Sequence, residues 1–162
     1  MRITFPRLPD HEQAYAVIER DDGLVYRLYG GVAGSSLPYD VRYLVVERSL
    51  GIRDGLWGEI ACGAASRDLP NVRGRRAPRA EWLAKLAERV AALDKPTPAQ
   101  IRRLAGNVLP AAPDGSVDVD PDAIAAAARA LQVEASRWAR LRPGQELVYE
   151  WPLLPRQRSS SE

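Results

Sequence analysis

The sequence predicts an α+β fold, on the strength of three observations. Alternating, β-branched segments fill the N-terminal region, helical repeats with start and stop signals fill the middle, and a last alternating segment follows Pro143-Gly144. Such an order implies one small antiparallel sheet, made from the N-terminal strands plus the C-terminal strand and packed on one face against three to four helices.

Taken in order, Arg2 to Phe5 reads as a short strand. Gln13 to Glu19 and Leu24 to Tyr29 alternate on either side of Asp21-Asp22-Gly23, the composition of a tight hairpin turn. Gly30 to Ser35 then reads as a flexible connection, without the Lys-Ser/Thr of a phosphate loop or the spacing of a dinucleotide fingerprint. Ser36 is placed as an N-cap with Pro38 in the first turn of a helix that Gly51 ends. Gly55 to Ala65 is rich in small residues around Trp57 and fits either a helix or a strand; its glycines permit close backbone approach to a neighbour or ligand. Residues 67 to 77 read as an irregular loop. Pro78 opens a second helix with Trp82, Leu86, Val90 and Leu93 as its apolar stripe, and Thr97-Pro98 a third with Ile101, Leu104 and Val108. After the break at Pro110 to Gly115, Asp120-Pro121 starts a long helix on which Ile124, Ala128, Leu131, Ala135 and Trp138 recur. Pro143-Gly144 turns the chain into a final strand, Glu146 to Trp151, whose expected partner is the N-terminal hairpin.

With 162 residues, the chain suits one hydrophobic core, so residues 1–155 are expected to form a single domain and the polar residues 156–162 a disordered tail. A 46% hydrophobic, 27% charged composition is that of a folded globular protein. Arginine supplies nearly all the basic charge and alanine is abundant, a bias that points to a GC-rich bacterial genome. The net charge of +2 is too small for a dedicated nucleic-acid binder. One weak helix-turn-helix reading, over the helices from Pro78 and Thr97, lacks both a dimer motif and a convincing set of reading residues. No apolar run approaches the roughly 20 residues that span a bilayer, and no signal peptide is evident, so a cytoplasmic location is expected. Cys62 is the only cysteine, which excludes an intramolecular disulfide and starves a Cys/His zinc site. With His11 the only histidine, thiolate or Ser-His-Asp catalysis also lacks its usual partners. Arg67, Arg73, Arg75, Arg76 and Arg79 form the one basic cluster, which could contact phosphate groups or an acidic partner but for which solvated surface is the more common reading.

The closest approach to a reaction centre is Tyr39, Tyr43 and Glu47, spaced four apart on the helix from Pro38. Side chains at i, i+4 and i+8 share a helix face, so two phenols and a carboxylate converge there as a candidate acid-base group. The plain structural reading makes Tyr39, Tyr43, Val46 and Leu50 a core stripe, with Val41 and Val45 buried on the other side and Asp40 favoured by the helix dipole.

These residues resemble a group of small bacterial proteins without an assigned activity, whose first helix reads Pro-His-Asp-x-x-His-x-x-x-Glu. Pro38, Asp40, Val45, Val46, Glu47, Leu50 and Gly51 match, as do Gly55-Leu56-Trp57-Gly58 and, near the end, Trp138, Leu141, Pro143-Gly144, Leu147 and Trp151-Pro152. Tyr39 and Tyr43 stand where the group carries histidines. Two histidines and a carboxylate at that spacing suit a metal; phenols with a pKa of about 10 do not. The resemblance therefore implies an ancestral metal site lost here, and no metal or other cofactor is expected.

The leading expectation is a small-molecule-binding protein, extended to a cofactor-independent acid-base enzyme of isomerase, cyclase or lyase type in bacterial specialised metabolism. In it Tyr39 or Tyr43 donates, Glu47 accepts, and Trp57, Tyr26 and Val46 line the substrate pocket. The alternative is a non-catalytic protein-interaction module in which core aromatics fill the old site. A homodimer is the oligomer considered; no nucleic-acid or membrane partner is expected.

Overall fold

The structure, a computed structural model, describes residues 1–63, 78–109 and 118–152. Its elements run β1 (Arg2–Pro6), β2 (Gln13–Glu19), β3 (Val25–Val32), α1 (Tyr39–Leu50), α2 (Leu56–Ala61), α3 (Pro78–Ala91), α4 (Pro98–Val108), α5 (Pro121–Arg140) and β4 (Glu146–Glu150). The expected loop over 67–77, the break at 110–115 and the tail at 156–162 lie outside the described residues.

The hairpin forms as its sequence predicts. Gly23 adopts a positive φ of 86°, and the Arg20 N–H donates to the Leu24 carbonyl at 2.9 Å. The Asp22 carboxyl, which accepts from the Leu24 N–H and the Arg20 guanidinium, is held below the usual carboxylate range, the backbone bond being the larger cause. Pairing runs from Glu19↔Val25 to Tyr15↔Tyr29, then shifts between Gln13 and Tyr15. That irregularity carries β3 on to Val32, beyond the predicted Tyr29. Reciprocal contacts of Ala33, donating to Glu12 and accepting from His11, extend the pairing further. Gly30 and Gly31 are thus the end of a strand and not a flexible connection.

Strand order is β3-β2-β1-β4, all neighbours antiparallel. The closing strand pairs with β1, Arg2↔Glu150 through Pro6↔Glu146, and not with the hairpin as expected, because β1 takes the place beside β2. Alternation sorts the two faces. Ile3, Phe5, Ala16, Ile18, Leu28, Leu147 and Tyr149 are buried under the helices, while Arg2, Val25, Arg27, Tyr29, Glu146, Val148 and Glu150 face outward.

Helix α1 lies at the centre, packed on α5, α3 and α2, and buries Val41, Tyr43, Leu44, Val45, Val46 and Glu47. Pro38 itself occupies the N-cap position, and no side chain caps the helix; the expected Ser36 cap lies outside it. Gly51 ends α1 in the left-handed region with φ 65°, as predicted. The ambiguous stretch after Gly55 opens as the short helix α2. On α3, Leu86 and Val90 are buried as predicted, but Trp82 is only half-buried, as is Leu93, which lies past the end of the helix. Ala80, Leu83, Ala84 and Ala87 complete the buried face, which is rotated because alanines let α5 approach closely. A capping box joins Thr97 and Gln100 at the start of α4, where Ile101 and Ala105 are buried and Leu104 and Val108 are half-buried. Asp120 caps α5, accepting from Asp122 N–H at 2.9 Å. Ile124, Ala128, Leu131 and Trp138 are buried on α5, whereas Ala135 is exposed.

A main core joins the sheet to α1, α2 and parts of α3 and α5; a second cluster of Leu83, Leu86, Val90, Ile101, Ala105, Ile124 and Ala128 holds α3, α4 and α5 together. The arrangement is α+β, an open four-stranded antiparallel sheet with five helices among the described residues, one more than the upper expectation because of α2. None of these helices is long and apolar enough to cross a membrane.

One contact of this core makes a pH prediction. The Tyr149 hydroxyl donates to Glu134 Oε2 at 2.6 Å, and burial first, then that bond, pushes the phenol well above its ordinary 10.0. Above pH 10.0 the unfolded chain releases this proton while the folded chain keeps it, so its contribution, fully present below that pH, is lost as pH rises. Urea melts of the native chain and Tyr149→Phe between pH 8 and pH 11 (about the range the phenol of an unfolded chain titrates through) should show a shallower alkaline loss in the variant. Parallel slopes would refute the assignment.

Candidate functional site

In the third turn of α1, Glu47 is fully buried, and its carboxylate accepts backbone N–H groups of α2: Leu56 at 2.9 Å on Oε1, Trp57 at 2.9 Å and Gly58 at 3.4 Å on Oε2. These are the N–H groups that a helix start leaves without intrahelical partners. Gly55, at the N-cap position of α2, has no side chain to satisfy them, so a residue from another helix does it. The glycines make room: a Cβ on Gly55 would lie 2.3 Å from Glu47 Cδ, and one on Gly58 would lie 2.0 Å from the Arg53 carbonyl oxygen. Close backbone approach was expected here for a neighbour or a ligand; the neighbour is Glu47.

Trp57 is fully buried, packs edge-on to Phe5 at 5.7 Å, and donates its Nε1–H to the Asp40 carbonyl at 3.0 Å. α2 is therefore tied to both ends of α1, at Glu47 and at Asp40. Tyr43 is buried, and its hydroxyl pairs with that of Tyr39 at 2.9 Å; Tyr39 is 47% exposed. Of the predicted catalytic group, the structure brings the two phenols together and commits Glu47 to α2.

A cleft of about 410 Å³ opens where β3 leads into α1. Tyr39, Asp40 and Arg42 border it from the helix, Tyr15 from β2, Gly30 to Val32 from the end of β3, Ala33 to Ser36 from the connection, and Trp138 from α5. The connection is pinned, since Trp138 Nε1 donates to the Gly34 carbonyl at 3.1 Å. Asp40 packs on Gly30 so closely that a Cβ there would lie 2.7 Å from Asp40 Oδ2. Arg42 holds the Leu37 carbonyl through Nε at 3.0 Å and reaches Glu88 at 3.3 Å.

The other predicted residues lie apart from this cleft. Val46 is core, Trp57 sits behind α1, and Tyr26 is half-buried on the inner face of β3 with a hydroxyl that makes no hydrogen bond among the described residues. Burial raises the Tyr26 phenol above its ordinary range. Cys62 is exposed beyond α2, and His11 is exposed in the turn after β1 with φ 72°. Arg79 is exposed; the rest of the basic cluster lies outside the described residues. Among the described residues, no group of three His, Cys, Asp or Glu is placed to hold a metal ion. Sequence reasoning missed Asp40, Arg42 and Trp138 as cleft residues. The signal was present: Asp40 and Arg42 flank Val41 at the helix start, where a glycine-rich approach exposes their side chains. No family model, curated protein or solved structure matches the chain.

The Glu47 arrangement predicts a structural phenotype. Glu47→Gln sets an amide N–H₂ against backbone donors and should lower folding stability by about 3 kcal/mol, read as a lower urea midpoint. Gly58→Ala should also be strongly destabilising, because its Cβ meets rigid backbone. A near-native midpoint for Glu47→Gln would show that the three N–H groups do not depend on the acid.

Proposed function

We propose that the chain is a small-molecule-binding protein whose ligand enters the cleft at the start of α1. The supporting observation is convergence: a phenol, a carboxylate and a guanidinium, from Tyr39, Asp40 and Arg42, border a concave space of about 410 Å³ that also has aromatic and apolar lining. Ligand sites combine a mainly apolar enclosure with a few oriented polar groups in this way. The ligand class that suits this lining is a compact polar metabolite with both a hydrogen-bonding and a charged group.

Acid-base chemistry without a cofactor is the reaction class compatible with these groups. Tyr39 meets the ligand; its hydroxyl partner Tyr43, buried behind it, orients the phenol. Asp40 takes the acceptor role first assigned to Glu47, whose oxygens are taken up by α2. That same occupancy of Glu47, with Tyr43 in the core, supports the second reading, a non-catalytic module in which an older site has become packing.

Tyr39 is half-exposed, so changes there leave the core intact. A thermal-shift screen of polar metabolites should find a ligand that raises the melting temperature. Tyr39→Ala and Asp40→Asn should weaken that ligand roughly tenfold or more, as the loss of a hydrogen bond to a bound polar group does. A ligand that binds both variants as well as the native chain sits elsewhere.

A further inference from the structure

Two apolar helix faces run on past the point where the fold covers them. On α5, Leu131 and Trp138 are 5% and 2% exposed, yet Ala135, which shares their side of the helix, is exposed. On α3, the buried face of Ala80, Ala84 and Ala87 continues to Ala91, which is only half-buried, and Ala92 just beyond the helix is exposed. The cause is that α3 ends there: Gln132 Nε2 donates to the Ala91 carbonyl at 2.7 Å, and α5 carries on to Arg140. A single exposed alanine is ordinary surface. These three, with buried Leu37 and Leu131, border one hollow of about 450 Å³. That hollow adjoins the cleft at the start of α1, since Ser35, Ser36, Leu37 and Arg42 border both.

We propose that the two hollows take one ligand, a small amphiphile whose charged head lies at Tyr39, Asp40 and Arg42 and whose apolar tail crosses Leu37 into the hollow over Ala91 and Ala135. The proposal rests on the cleft reading given above and extends it: the compact polar group becomes the head of a longer molecule. Arg42 joins the two halves. It donates from Nε to the Leu37 carbonyl at 3.0 Å and from Nη1 to Glu88 at 3.3 Å, so its side chain spans the border that the hollows share. The chemistry of the halves differs. The cleft brings a phenol, a carboxylate and a guanidinium, whereas the second hollow brings methyl groups of alanine and leucine. Of the long polar side chains on its rim, Glu88 is bonded to Arg42 and Gln132 to the Ala91 carbonyl, which leaves apolar surface as what this half offers. Apolar contact alone orients nothing, so this half suits a tail held in place by a head next door. At about 450 Å³ it has the size of a small-molecule site and not of a protein-docking face.

Calorimetric titration of the full chain with n-alkylamines, n-alkanoates and straight-chain 2-amino acids, each lengthened from ethyl to octyl, tests this. At least one series should bind, tightening about twofold per added methylene, half of what complete burial of each would give. Its heat-capacity change should grow more negative with length. In Ala135→Gln and Ala92→Gln, both at exposed positions, the octyl member should fall to the affinity of the ethyl member, which itself binds as in the native chain, at an unchanged melting temperature. Tyr39→Ala and Asp40→Asn should instead weaken every member alike. The two failures read differently. Binding that ignores chain length but falls in Asp40→Asn keeps the cleft and overturns the tail. A length dependence that survives both Ala135→Gln and Ala92→Gln puts the tail elsewhere and overturns the proposal. Absence of binding by all three series also overturns it, and leaves the cleft to the screen of polar metabolites.

Discussion

One buried carboxylate organises the middle of this molecule. Glu47 replaces water for the first N–H groups of α2, a helix of six residues that is too short to persist by its own hydrogen bonds. Holding α2 places Trp57, which reaches back to Asp40 at the other end of α1 and forward to Phe5 on β1. The first turn of α1, the sheet and α2 are thereby locked in one geometry by a polar contact and an aromatic one acting together. An acid inside an apolar core is tolerable because its acceptor capacity is met by backbone donors at the positive end of a helix.

That arrangement explains which parts of the fold were legible. Elements whose cause is local were read well: the hairpin through Asp21-Asp22-Gly23, the end of α1 through Gly51, the starts of α4 and α5 through Thr97 and Asp120. Elements whose cause lies elsewhere in the chain were not. α2 exists because of an acid eight residues before its N-cap residue Gly55, which no window over its own small residues can reveal. The buried face of α3 is set by alanines pressed against α5 and not by its largest residue, Trp82, so a stripe drawn through big side chains comes out rotated. β4 settles beside β1 because that position is left open by the hairpin, a choice its own residues do not encode.

The candidate site divides the same way. Spacing by four correctly placed Tyr39 and Tyr43 together, since helix geometry alone decides it. Spacing could not say that Glu47, on the same side of the helix, would be claimed by backbone from another element. Nor could it say that Asp40, read as a dipole partner, would lie against Gly30 at the edge of a cleft. In both cases a glycine decides the outcome, because only the absence of a Cβ lets a carboxylate come so near the main chain.

Gly30 and Gly31 show how tightly these demands are joined. They lie near the end of β3, and they also border the cleft. Toward the helices, Gly30 must be bare to admit Asp40, whereas nothing lies within 4 Å of where a Cβ on Gly31 would be. The Asp40 contact thus accounts for the first glycine, and the second lies in the register irregularity, where two residues of β3 stand against one of β2. Two adjacent glycines thus have two separate reasons, one a carboxylate packed on the main chain and the other an irregular ladder, and pairing with β2 resumes at Val32.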